Sequence, residues 1–470
     1  MIDAPRATAL PTPAQSAAYV AELGKPTAAE VLRDARAAGH LALQPRCGVG
    51  SHRQMTTLLQ DIERHAAPDV LSVTIDAHTR LGRFGHARTV LDRNPADLNG
   101  YPLVAHGWRR GRELNEAVRA PLEIRHGSPD ARVLFGTAVA SGITSFEGGG
   151  ISYNLPYSKD VPLERSLAAW RTVDAACGKL ADHGLVIDRE LFGTLTAVLM
   201  PPSVSLAVSV LEAVAAAREG VRCISVAYPQ GGHTEQDVAA LRAVPLLAER
   251  YLPAGVEVHA VLHEFMGVFP RERAHAEDLI LYGALVARHG GATKLITKTY
   301  QEAYGIPDTR AIVDGLHLAA RANSPLLGAM TPDEGRVAEE LEWVVREVDE
   351  LVAPVLAAEP AHGGLHAAIA AAFAHGTLDI PFSASRHARS ELIPGRADDG
   401  AVRILEPGSL PLSPASRERH RAALKGRPTD LYTVLTRDIN YFPLLFGEDI
   451  RRGPAAPPVH AEGSASSPYL

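Results

Sequence analysis

Arg46, Arg80 and Arg125 each follow one of the first three apolar runs of the chain, Glu147 follows the fourth, and Lys298 with Glu302 follows the eighth. A planar guanidinium fork pairs bidentately with a carboxylate. One arginine after a strand is ordinarily a solvated loop residue, but three at matching positions read as a clamp for a small acid carrying two carboxylates. His126 stands beside the third arginine. Glu147 opens the run Gly148, Gly149, Gly150, Ile151, Ser152, Tyr153, Asn154, Leu155, Pro156, Tyr157. Its carboxylate supplies a base and its tyrosines two directional hydroxyls. Consecutive glycines suit backbone that approaches a ligand or takes positive φ, a flexible surface loop being the alternative. Their spacing matches neither a P-loop nor a dinucleotide fingerprint.

Positioning these side chains together requires a scaffold that gathers strand ends. Eight β-branched apolar runs, Leu41 to Gln44, Val70 to Ile75, Pro121 to Ile124, Ile143 to Phe146, Leu185 to Ile187, Cys223 to Val226, Val256 to Leu262 and Ala292 to Thr297, alternate with helical patterns. That alternation predicts a parallel sheet, and eight strands close a (β/α)8 TIM barrel whose site lies at the C-terminal strand ends. Leu206, Val210, Leu211 and Val214 recur at helical spacing, Thr234 with Asp237 resembles a capping box, and Pro270 suits the first turn of a helix. The expected organisation is an N-terminal extension over residues 1–40, the barrel over 41–330, a helical and mixed C-terminal region packed on it over 331–452, and a disordered tail over 453–470. Within the C-terminal region, Leu341, Val345, Val348 and Val352 predict a continuing helix.

The 470 residues are 46% hydrophobic and 21% charged with a formal net charge of -7, which suits a globular enzyme and gives no electrostatic reason to expect nucleic acid or an anionic membrane. The N-terminus lacks a basic segment followed by an apolar run, and no stretch of about 18 apolar residues occurs. A cytoplasmic protein is expected. Cys47, Cys177 and Cys223 are too few and too scattered for a disulfide framework or a zinc pattern, so free thiols and no metal site are predicted.

From about residue 40 to about residue 445, successive motifs resemble the large subunit of adenosylcobalamin-dependent glutamate mutase. They are Gln44-Pro45-Arg46, Thr74-Ile75-Asp76-Ala77, Leu98-Asn99-Gly100, Arg125-His126-Gly127, the Glu147 to Tyr157 segment, Pro201-Pro202-Ser203, Lys298-Thr299 with Glu302, Gly305-Ile306-Pro307 and Asp379-Ile380-Pro381-Phe382. The resemblance implies a radical isomerase that interconverts L-glutamate and L-threo-3-methylaspartate. It further implies that Arg46, Arg80 and Arg125 grip the substrate carboxylates, that Glu147 faces the amino group as the catalytic base, and that His126, Tyr153 and Tyr157 complete the pocket. Lys298 and Glu302 are implied to hold the adenosyl ribose, with Gly48, Asn99, Pro156, Phe269 and Ile306 on the cobalamin side. Phe192 matches an aromatic that the related enzymes place near the substrate, core packing being its alternative role.

The cobalt-ligating motif Asp-x-His-x-x-Gly is missing, since Asp76, His78 and Gly82 are one residue too far apart and lie at a barrel strand. The cobalamin is therefore expected on a separate small subunit bearing that motif, with a homodimer of this chain at the core of a heterotetramer. A second departure is Ala227-Tyr228-Pro229-Gln230-Gly231-Gly232-His233, where the family has Gly-Tyr-Gly-x-Cys-Gly-Asn. Two alternatives remain open at this point: a related radical mutase acting on another amino acid in a biosynthetic pathway, and a barrel without catalysis that serves as a scaffold subunit.

Overall fold

The computed structural model describes residues 9–427 and 430–450. Eight parallel strands, β1 (Ala42–Gln44), β2 (Leu71–Thr74), β3 (Leu122–Arg125), β4 (Ser145–Glu147), β5 (Asp188–Leu191), β6 (Cys223–Pro229), β7 (Glu257–His263) and β8 (Lys294–Ile296), run in the order β1-β8-β7-β6-β5-β4-β3-β2. The seam between β1 and β2 is bridged by Thr74 N to Cys47 O at 2.9 Å, Val70 N to Leu43 O at 3.3 Å and Gln44 Nε2 to Ser72 Oγ at 2.8 Å. The result is a nearly closed (β/α)8 barrel, as the alternating runs predict.

Seven strands overlap the apolar runs, and β5 does not: it starts at Asp188, beyond the expected Leu185 to Ile187. Its first three residues, Asp188, Arg189 and Glu190, are charged and fully buried. A pattern search takes charge for solvent, yet here the barrel interior supplies the counter-charges. Asp188 and Glu190 face Lys294 across the lumen, while Arg189 turns outward, donating to Asp174 Oδ1 at 2.9 Å with its guanidinium over the Trp170 ring.

Outer helices bury amphipathic stripes on the barrel. The helix His52–Ala66, capped by Ser51, buries Met55, Leu59 and Ile62, each of which contributes about 2 kcal/mol by leaving water. Pro202–Arg218 is buried nearly all round because the helix Glu334–His362 covers its other side. Val337, Val344, Val348, Leu351, Val352 and Val355 form that long helix's buried face, so the expected C-terminal helix is present, with Leu341 and Val345 on its flank. At the opposite end, Ala28–Ala38 spans the strand starts: Ala28 N donates to Thr144 Oγ1 at 3.0 Å, Arg33 pairs with Glu257 at 2.8 Å, and Leu32 packs with Ala42.

The expected capping box at Thr234 is replaced by His233, whose Nδ1 accepts from Gln236 N at 3.2 Å. Asp237 is instead buried, accepting from Tyr228 OH at 2.8 Å and from the Gly231 and Gly232 amides at 2.9 Å each. Phe442 lies over Gly232, so the altered 227–233 segment is enclosed by this chain's own C-terminal residues. Pro270 stands short of its helix, Arg273–His289, which Glu272 precedes. Cys47, Cys177 and Cys223 are free and buried. Among the described residues, no helix is long and apolar enough to cross a membrane. The tail expected to be disordered, 453–470, lies outside the described residues.

Candidate active site

The charged residues picked out by their spacing sit at the C-terminal ends of the strands. Arg125 and Glu147 are the last residues of β3 and β4, Arg46 and Lys298 each stand two residues beyond β1 and β8, and Arg80 ends the short helix Ala77–Arg80. That helix starts at Asp76, whose Oδ1 accepts from His78 N at 2.9 Å and Thr79 N at 3.0 Å. Asp76 Oδ1 thus serves as a helix cap, and His78 packs edge-on against His86.

Arg125 is buried at the centre. It donates to Glu123 Oε1 at 2.9 Å and to Glu190 Oε1 at 3.3 Å, forms an ion pair with Glu147 Oε1, and lies 3.4 Å from His263 Nε2. Burial, reinforced by Glu190 and Glu123, pushes the Glu147 carboxyl up to about 8 against the pull of Arg125. A carboxyl poised near neutrality is what proton transfer to and from a substrate requires. Burial and the Arg125 charge together hold His263 down at about 3, so that imidazole is neutral. His126 is likewise held neutral, by burial and then by Arg189, Arg80 and Arg125. Tyr157 brings the constellation together: burial and Glu147 raise its hydroxyl pKa, while Arg46, Arg80 and Arg125 all act in the opposite sense. Three cations and one carboxyl are thus within electrostatic range of this phenol, whose residue is 43% exposed at the barrel mouth. Arg46 Nε is buried and finds no hydrogen-bond partner among the described residues, which leaves a donor available to a ligand.

Tyr153 donates a hydrogen bond to Glu147 Oε2. Its ring meets His126 at 4.8 Å, Phe192 at 5.0 Å and Tyr157 at 5.9 Å, and Phe192 also meets His263 at 5.6 Å. Phe192 thus packs directly on the charged centre. The glycine run beneath is buried, not a flexible surface loop. A Cβ on Gly148 would fall 2.3 Å from Tyr153, and one on Gly149 would fall 2.2 Å from the Glu212 carboxylate. Glu212 is itself occupied by Ile151 N at 2.7 Å and Ser152 N at 2.9 Å, so it has little room to yield. Gly149→Ala is therefore expected to destabilise the chain by about 1–3 kcal/mol through overpacking, measured by equilibrium denaturation. Wild-type stability would show that Glu212 can move aside.

Comparison with known proteins gives the family. Residues 25–440 match the model of the methylaspartate mutase E chain family. The chain belongs to that family. Similar proteins include the glutamate mutase epsilon subunits of Desulfitobacterium hafniense (strain Y51), 38% identical over 407 residues covering 85% of this chain and 84% of the relative, and of Yersinia enterocolitica, 39% identical over 392 residues covering 82% and 81%. The epsilon subunit of Escherichia coli O157:H7 is 38% identical over 417 residues, covering 86% of this chain and 85% of the relative. Membership of the methylaspartate mutase E chain family makes the chain a mutase subunit.

The residues expected on the cobalamin side lie in the loops that follow β1, β2, β4, β7 and β8 and are held in different ways. Gly48 is pressed on Thr74, whose carbonyl oxygen a Cβ would approach to 2.5 Å; Asn99 is exposed and accepts from Ala77 N at 2.9 Å; Ile306 is 74% exposed. Pro156 is half-buried beside Tyr157, whereas Phe269 is buried with Phe265, Leu279 and Tyr300 and supports its loop from within. Lys298 Nζ pairs with Glu302 Oε2 at 2.6 Å. An ammonium and a carboxylate side by side suit the hydroxyls of a ribose, and Ile306 offers an exposed apolar surface at the same barrel mouth, a chemistry compatible with a nucleoside-bearing cofactor.

Spacing alone missed Glu123, Glu190, His263, Lys294 and Glu264. The first four lie inside strands, where charge reads as interruption. Glu264, directly after β7, accepts from Lys298 N, and burial raises its carboxyl well above the usual range. A charged residue immediately following a strand was the available signal for Glu264.

Proposed function

We propose that this chain is the substrate-binding subunit of an adenosylcobalamin-dependent glutamate mutase that interconverts L-glutamate and L-threo-3-methylaspartate. The observation that carries the reading is the placement of Arg46, Arg80, Arg125 and Glu147 at the C-terminal ends of neighbouring barrel strands, with Arg125 paired to Glu147, in a member of the methylaspartate mutase E chain family. Two carboxylates and one ammonium need at least two cationic grips and one anionic one, and the three arginines with Glu147 supply them. Adenosylcobalamin, when bound, supplies the carbon radical that removes a substrate hydrogen. Lys298 and Glu302 would hold its ribose, with Gly48, Asn99, Pro156 and Ile306 along the corrin side and Phe269 behind them.

This chain's residues then confine the substrate. The arginines fix both carboxylates so that the migrating fragment stays in register, Tyr153 orients the Glu147 carboxyl, and Glu147 accepts a proton from the substrate ammonium as the carbon skeleton fragments. Phe192, Tyr153 and Tyr157 keep water from that centre. The cobalt's lower ligand is assigned to a small subunit carrying Asp-x-His-x-x-Gly, around a dimer of this chain in the cytoplasm.

Mixing the purified chain with such a small subunit and adenosylcobalamin is expected to convert L-glutamate into 3-methylaspartate, followed by NMR of the products. The chain with cofactor alone should be inactive. Strong turnover without the small subunit would overturn the two-subunit assignment, and no turnover with every component present would overturn the substrate.

A further inference from the structure

We propose that Lys294, acting through Glu123 and Glu190, is a positioning residue that aims the Arg125 guanidinium at its ligand. The inference rests on the reading of Arg125 as a clamp for a substrate carboxylate. Lys294 starts β8, is fully buried in the lumen, and lies 2.6 Å from Glu123 Oε2 on β3 and 2.7 Å from Glu190 Oε2 on β5, with Asp188 Oδ2 at 3.9 Å. The second oxygens of the same two glutamates meet on one atom: Glu123 Oε1 and Glu190 Oε1 both accept from Arg125 Nη1, at 2.9 and 3.3 Å. Gln44 Nε2 at 2.6 Å and Ser145 Oγ at 3.0 Å hold Glu123 from the sides, and Ser225 Oγ holds Asp188 at 2.7 Å. One end of the guanidinium is thereby tied through two carboxylates to a single ammonium across the barrel.

The other end is held differently. Arg125 Nη2 has Glu147 Oε1 beside it as an ion pair, yet that oxygen makes no hydrogen bond among the described residues, and His263 Nε2 stands at 3.4 Å. Nη2 is therefore the end that can be released. A ligand carboxylate takes the place of Glu147 there, and Glu147 is freed to face the ligand's ammonium. Stability does not explain the layer, because an apolar layer, the usual filling of such a barrel, avoids the desolvation cost of so many buried charges. Orientation does, since a guanidinium clamped at one edge presents the other at a fixed angle.

The test uses the complete complex with Glu190→Gln, Lys294→Met and the double variant, which removes one charge of each sign and so restores the lumen's balance if Lys294→Met alone fails to fold. Melting curves report folding, steady-state kinetics with L-glutamate separate KM from kcat, and calorimetry with glutarate reads dicarboxylate binding without turnover. Each folded variant should raise KM and weaken glutarate binding about 10-fold to 100-fold, the effect of a lost charged hydrogen bond, with kcat falling far less. A folded double variant with wild-type KM and glutarate affinity overturns the positioning role. If Arg125→Lys raises KM in the same complex while these variants do not, the layer alone is wrong. An unsubstituted complex that neither turns over L-glutamate nor binds glutarate overturns the underlying function and the layer's role with it.

Discussion

Glu147→Gln is expected to lower kcat of the reconstituted complex about 10²-fold to 10⁴-fold, the range for removal of a general base, while KM for L-glutamate changes far less. Gln keeps the shape and can still accept from Tyr153, but it cannot take a proton from the substrate ammonium. Because Glu147 titrates at about 8 in the empty site, the wild-type kcat/KM should rise with pH through that value, and the variant should lose that limb. Stability supplies an independent check. A carboxyl raised from its ordinary 4.5 to about 8 holds a proton that the unfolded chain releases earlier, so folding weakens as pH climbs between those values. The Gln variant should lack that slope. An unchanged kcat with an elevated KM would leave Glu147 as a binding residue only.

Arg125→Lys keeps the charge and loses the fork, with an expected loss of about 1.5–3 kcal/mol in kcat/KM, since an ammonium cannot meet Glu123 and Glu190 at one edge and a ligand carboxylate at the other. The loss should appear chiefly in KM. Arg218→Lys is the control: Arg218 is 48% exposed and pairs at the surface with Glu359, so its replacement should be nearly silent. Equal responses at the two positions would remove Arg125 from the site.

The role of the 227–233 segment changes once its packing is seen. Pro229 and His233 in place of the family residues suggest an altered contact with a partner, yet Gly232 lies under Phe442, and His233 caps the following helix while its Nε2 lies 3.3 Å from Arg336. Of the substituted positions, His233 thus contacts the chain's own C-terminal region. At glycines 148–150 the expectation of positive φ holds at Gly148, with φ +118°, and the structure adds close packing of the run against Tyr153, Glu212 and Leu167.

The sequence by itself determined the barrel and the arginines, Glu147, Lys298 and Glu302 at its mouth. Alternation of apolar runs with helical stripes is a local, periodic signal, and residues after a strand end are found by counting. What only the tertiary structure decided lies inside the lumen. Asp188, Arg189 and Glu190 read as the end of a strand because charge normally means solvent. They form β5 because Lys294 on β8, three strands further along the chain yet across the lumen in space, together with Asp174 outside, supplies partners that no window of sequence contains. The same holds for Glu147: its type and place were readable, but its poised carboxyl depends on burial beside Arg125, Glu190 and Glu123, charges from β3 and β5 that only the closed barrel brings into range.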